Sequence, residues 1–184
     1  MRTAKATSWP WLVILIGIVS SVLSQALAIQ IVWQSERGQP HVNSKGQGID
    51  ESYVFELGAF TEGFVPSLAN VSQWITHWHG VQRAIYDPSS QAYTNRYDVE
   101  SNDSPYSQGS RGYVWGYGVD TNEWILMTDA MWTWPKVGGT GFPVSWSTRN
   151  ATDVKVGSVL TGGGLKTQDV GLAASPILGP KAWR

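Results

Sequence analysis

Gly112–Pro135 (GYVWGYGVDTNEWILMTDAMWTWP) constrains this chain more than any other stretch. Two alternating aromatic and aliphatic runs flank the turn Val119-Asp120-Thr121-Asn122, and Trp132-Thr133-Trp134-Pro135 follows as an exit. Such alternation predicts a β-hairpin with strands over Tyr113–Tyr117 and Glu123–Thr128, since successive side chains of a strand point to opposite faces. Aromatic residues this dense in a hairpin carry a large share of a core.

The remaining segments fit one strand-rich unit. Ile29–Trp33 reads as a first strand, Gln34–Ile49 as a Gly- and Pro-punctuated loop, and Ser52–Phe60 as an alternating strand. Leu68, Val71, Trp74, Ile75, Trp78, Val81 and Ile85 recur at three-and-four spacing and predict a helix over Ser67–Ile85, with Ser67 or Asn70 as its cap. Gly80 is the place where that helix bends or ends early. Asp87-Pro88-Ser89-Ser90 marks a turn, Gln91–Val99 an exposed strand and Ser101–Arg111 a polar loop. Pro143–Ser147 and Asp153–Leu160 are further strands. The expected fold is mainly β: an antiparallel β-sandwich or jelly-roll-like domain with one packed α-helix.

Residues 1–28 read as a secretory signal peptide. Arg2 and Lys5 supply the positive start, Trp9–Leu23 the apolar run, and Ala26-Leu27-Ala28 the small residues of a cleavage site. The alternative is an uncleaved anchor, which this run is short for. A single β-rich domain over residues 29–160 and a weakly ordered, glycine-led tail over residues 161–184 complete the expected organisation. Export places the domain in the periplasm, at the cell surface or outside the cell.

Composition narrows the chemistry. With no cysteine, the chain has no thiol nucleophile, zinc–thiolate centre, iron–sulfur cluster or disulfide. A formal charge of −1 and scattered cations give no basic surface for nucleic acid. Membrane contact is expected only through an uncleaved leader. No Gly-x-Ser-x-Gly elbow occurs, and Gly162-Gly163-Gly164-Leu165-Lys166-Thr167 lacks the spacer of a phosphate loop. Asn70-Val71-Ser72 and Asn150-Ala151-Thr152 match glycosylation sequons.

Four constellations remain. His77 and His79, two apart on the expected helix, point in different directions and make a poor metal pair. Asp98, Glu100 and Asn102 set oxygen atoms at alternating positions, which suits a structural calcium; the competing reading is a solvated acidic turn. Glu56 and Asp129 are the carboxylates a small glycan hydrolase would use, although Glu56 also suits the solvent face of a strand or an arginine partner. Trp132 and Trp134, in a loop, are candidates for stacking on sugar rings, whereas the strand tryptophans read as core.

Taken in order, YVFELGAF, GFVPS, NVSQWITHW, AIYDPSSQAYT, GYVWGYG, EWILMTD and WTWP resemble a family of uncharacterised exported proteins of the Planctomycetes–Verrucomicrobia group. Its members commonly carry a Pro-Glu-Pro (PEP-CTERM) sorting tail. The resemblance spans roughly Glu51–Val159 and implies export and a β-rich domain, but no activity. This chain differs in ending SPILGPKAWR, without the Pro-Glu-Pro motif. The expected role is an exported, non-enzymatic structural or interaction domain, with polysaccharide or cell-surface components as partners; a carbohydrate-binding module and a small glycan-active hydrolase are the alternatives.

Overall fold

The structure, a computed structural model, describes residues 28–139 and 141–172. The expected leader, apart from its last residue, and the last twelve positions of the expected tail lie outside the described residues. In chain order the strands are β1 (Gln30–Gln34), β2 (His41–Val42), β3 (Tyr53–Phe60), β4 (Trp78–Ile85), β5 (Thr94–Asp98), β6 (Tyr113–Gly118), β7 (Glu123–Thr128), β8 (Val144–Ser147), β9 (Asp153–Val156), β10 (Ser158–Val159), β11 (Leu165–Lys166) and β12 (Gln168–Asp169). One short helix, α1 (Trp74–His77), follows a 3-10 turn at Leu68–Gln73. The fold is mainly β and sandwich-like, as the alternation predicts.

The central sheet has the order β12-β7-β6-β3-β4, with β9 also paired to β7. A three-stranded sheet, β5-β1-β8, packs over one face of it, and a small sheet, β10-β11-β2, closes a further side. Most pairs are antiparallel; β1 with β8 and β11 with β2 are parallel. The hairpin β6–β7 pairs Trp115 with Leu126 and Tyr117 with Trp124.

Both faces of the central sheet are buried, and the two-residue period sorts its side chains. Phe55, Leu57, Val114, Ile125 and Met127 face the three-stranded sheet, where they meet Ile31, Trp33 and Trp146. Val54, Phe60, Tyr113, Trp115, Tyr117, Trp124 and Leu126 face the other way, under Trp74 of α1. The strands therefore read as nearly continuous apolar runs, as strands covered on both sides do.

Two expectations need correction. The helix expected over Ser67–Ile85 ends at His77, and Trp78–Ile85 is instead an edge strand on β3. Its spacing imitates a helix because the β3–β4 register shifts between Leu57 and Gly58: Leu57 pairs with Gln82 and Gly58 with Gly80, leaving Val81 as an extra residue. One inserted residue breaks the two-residue period and mimics the three-and-four spacing. The second correction concerns residues 161–172, expected as the start of a weak tail. They build β11 and β12, and Leu165 is fully buried.

Candidate functional site

Trp132 and Trp134 are core residues, at 2% and 1% exposure. The loop that carries them folds inward because Trp134 N–H donates to Ser110 O and Gly112 N–H to Trp132 O, 2.9 and 2.8 Å. Trp132 then stacks on Trp146 at 5.7 Å between centroids and 7° between planes, while Trp134 meets the same ring edge-on. Neither presents a face to a sugar. Trp9, Trp11 and Trp183 lie outside the described residues, and the other eight tryptophans are all buried. The expected stacking platform is therefore absent among the described residues.

Glu56 and Asp129 are also turned inward. Glu56 is fully buried on the face of β3 beneath α1, opposite Arg83 of β4. Trp78 Nε1–H donates to it at 2.7 Å and Tyr117 O–H at 3.1 Å, and the Arg83 guanidinium closes an ion pair. Burial, with the Glu56 charge next, pushes the Tyr117 hydroxyl well above the usual tyrosine range. Of the two structural readings, the arginine partner holds and the solvent face does not. Asp129 directly follows β7, where Met131 N–H donates to it at 2.8 Å and the Thr152 hydroxyl also donates. These bonds, the Thr152 one foremost, hold its carboxyl below the usual carboxylate range. Donors from separate parts of the fold hold the two carboxylates, Glu56 by β4 and β6 and Asp129 by the turn at Met131 and by Thr152, so the two do not form the acid–base pair that hydrolysis requires.

Glu123 is a third buried carboxylate, which sequence reading passed over. It accepts from Ser44 N–H at 2.9 Å and from the Thr167 hydroxyl at 2.6 Å, so it ties the loop after β2 to the chain after β11. Its only signal in the sequence is a charge placed at the mouth of an otherwise apolar strand.

The oxygen-bearing trio does not form a calcium cage. Asn102 donates through Nδ2 to Tyr106 O and Pro135 O, and its Oδ1 accepts from Val137 N–H at 2.7 Å. That amide is a loop staple with its oxygen already occupied. Asp98 accepts from Gln30 Nε2 at 2.9 Å, and Glu100 lies beyond the end of β5. Among the described residues no cluster of three His, Asp or Glu residues has metal-binding geometry. His77 stacks on Phe64 at 4.2 Å, whereas His79, on β4, lies 3.1 Å from Thr61 Oγ1. His41 is buried in β2, its Nε2 at 3.2 Å from Glu36 O, and burial drives its pKa down.

A cleft of about 710 Å³ lies between β4 and β5, lined by Gly80–Arg83 on one side and Arg96–Asp98 with Glu100 on the other. Smaller hollows of about 340 and 170 Å³ lie beside His41 and beside Phe60, Phe64 and Arg111. Nothing in the linear sequence announces the cleft, because β4 reads as a helix. The alternation of Thr94, Arg96 and Asp98 on an exposed face is the one trace of it.

No family model, curated protein or solved structure matches this chain.

Proposed function

We propose that this chain is an exported structural or interaction domain of the cell envelope or extracellular space, and not an enzyme. One observation carries the second half of that reading: Glu56, Glu123 and Asp129, the carboxylates best placed for chemistry, are each saturated by internal donors. A buried carboxylate with two or three such donors stabilises the fold it ties together and is poorly placed to exchange protons with a substrate. The export half rests on the leader-like residues 1–28 and on the resemblance to exported proteins of the Planctomycetes–Verrucomicrobia group. Sugar binding through Trp132 and Trp134 is not retained, since both rings are enclosed.

The test is expression of the full chain in a bacterial host, followed by fractionation and N-terminal sequencing. A product beginning near Ile29 outside the cytoplasm is the expected result; a cytoplasmic product still beginning at Met1 refutes export. Incubation of the purified protein with β-glucan, chitin and peptidoglycan is expected to release no reducing ends. Release that disappears in Asp129→Asn would make the protein a hydrolase.

A further inference from the structure

We infer that the cleft between β4 and β5 takes an extended peptide segment, whose main chain adds to the open strand edges there. The inference deepens the interaction-domain reading and rests on it. β4 and β5 are neighbours in sequence and antiparallel, joined through a turn in which Asp87 and Ala92 exchange main-chain hydrogen bonds. Yet they belong to different sheets. β4 is one edge of the central sheet and β5 one edge of the three-stranded sheet. Such a splayed hairpin leaves two unpaired strand edges facing each other.

Side-chain amides close the half of the gap nearer the turn. Gln82 Nε2–H donates to Arg96 O, and Asn95 Nδ2–H donates to Arg83 O, each at 2.7 Å. Asn95 Oδ1 also accepts the Arg96 N–H at 2.8 Å. These amides occupy the positions that the main chain of a paired strand would fill. Further from the turn the arms part, and the cleft opens between Gly80-Val81 and Asp98. The phase of each ladder shows which groups face it. Val99 N–H bonds to Ile29 O, so the main chain of Val99 and Tyr97 faces β1 and that of Asp98 faces the cleft. On the other wall, the bulge at Val81 interrupts the ladder to β3. Unpaired strand edges are templates for a further strand.

The lining decides between peptide and sugar. Its one aromatic residue, Tyr97, is half-buried and packs perpendicular to Trp134 with centroids 5.8 Å apart, so the lining has no row of aromatic faces of the kind that sugar rings stack on. Charge is what the cleft offers instead. Thr94, Arg96 and Asp98 alternate on the exposed face of β5, and Arg96 makes no ion pair among the described residues. A strand laid antiparallel on β5 meets Asp98 before Arg96, where it takes over the main-chain positions that the Gln82 and Asn95 amides hold in the free fold. The complementary segment therefore carries a basic residue, one intervening residue and then an acidic one, in chain order.

The probe is the blocked peptide acetyl-Thr-Val-Lys-Val-Glu-Val-Thr-amide, compared with its charge-swapped counterpart, in which Lys and Glu exchange places. Each is titrated into isotope-labelled full-length protein and followed by amide chemical shifts. The expected perturbations are confined to residues 80–83 and 95–100, with the first peptide binding about two- to thirtyfold more tightly, the range of two exposed ion pairs. Arg96→Glu, at an exposed site, makes both facing positions acidic and is expected to abolish the preference. Absence of shifts in the cleft at millimolar peptide overturns the inference. So does a preference that Arg96→Glu leaves unchanged, because the contact then lies elsewhere. Either failure in a protein that is still exported leaves the export reading standing, whereas a cytoplasmic protein that binds the peptide sinks export alone.

Discussion

Glu56 interrupts an apolar strand, a pattern equally suited to an outward carboxylate or to a buried one with partners. The partners decide the matter, and they come from three other places: Trp78, Arg83 and Tyr117. Removing one member of a buried ion pair leaves the other charge without compensation, so Glu56→Gln is expected to lower stability by about 3–5 kcal/mol. Urea denaturation followed by tryptophan fluorescence measures this, and a midpoint near that of the unsubstituted protein would show that the site is solvated. Trp132 reverses in the same way. Its Thr-Trp-Pro neighbourhood reads correctly as a loop, but the sequence does not reveal that the loop folds beneath Trp146. Trp132→Ala is expected to cost about 3–5 kcal/mol, as large aromatic truncations in a core do. A stacking residue at the surface would instead lose ligand retention with an unchanged urea midpoint.

At the level of elements, legibility followed local regularity. β3, β6 and β7 keep a strict two-residue period and were predictable almost to the residue, because pleat and hydrophobic sorting act together there. β4 was not, because its bulge offsets the pattern and the true short helix lies directly before it. Gly58 provides a test of the pairing. A Cβ there would lie 2.3 Å from the His79 carbonyl oxygen and 2.6 Å from the Trp78 ring, atoms that approach only because β4 lies against β3. Gly58→Ala is therefore expected to destabilise by about 1–3 kcal/mol, with faster amide exchange along Trp78–Ile85. Were those residues helical and away from β3, the substitution would be tolerated. β2 carries the pH response. Burial lowers the His41 pKa below its ordinary 6.5, against the opposing pull of the Glu36 and Gln91 carbonyls. Between the folded pKa and 6.5 the unfolded chain binds the extra proton, so stability falls as pH drops through that window and is level above it. Denaturation at a series of pH values should show this slope in the native protein and its loss in His41→Asn.

The scale of the whole molecule is where the chain closes on itself, and the boundary drawn from sequence fell short. Gly162-Gly163-Gly164 resembles a linker by composition. In the fold, Gly162 and Gly163 adopt φ of 82° and 91°, a left-handed turn that directs the chain back toward the sheets. A Cβ on Gly163 would lie 2.5 Å from the Glu36 side chain and 3.2 Å from Arg149, so these glycines permit close packing as well as turning. The segment that follows joins distant parts of the sequence: Leu165 pairs in parallel with His41, Gln168 pairs antiparallel with Trp124, and the Thr167 hydroxyl reaches buried Glu123. Contacts between positions so far apart carry no local signature, which is why the closure was invisible to periodicity. They also make the end of the domain a condition of the fold and not an appendage to it. A chain ended at Leu160 would lose the buried Leu165 side chain, comparable to about 2–5 kcal/mol for a large-to-small core change. It would also strip Glu123 of a hydroxyl donor, at about 1–3 kcal/mol more. Against the about 5–15 kcal/mol that natural domains possess, that is enough to unfold the shortened chain or to leave it marginal. Urea denaturation of the two lengths, read by tryptophan fluorescence and by far-ultraviolet circular dichroism, should show one cooperative transition for the full chain and an early or absent one for the shortened chain. Matching midpoints would mean that β11 and β12 dock on a core already complete at residue 160.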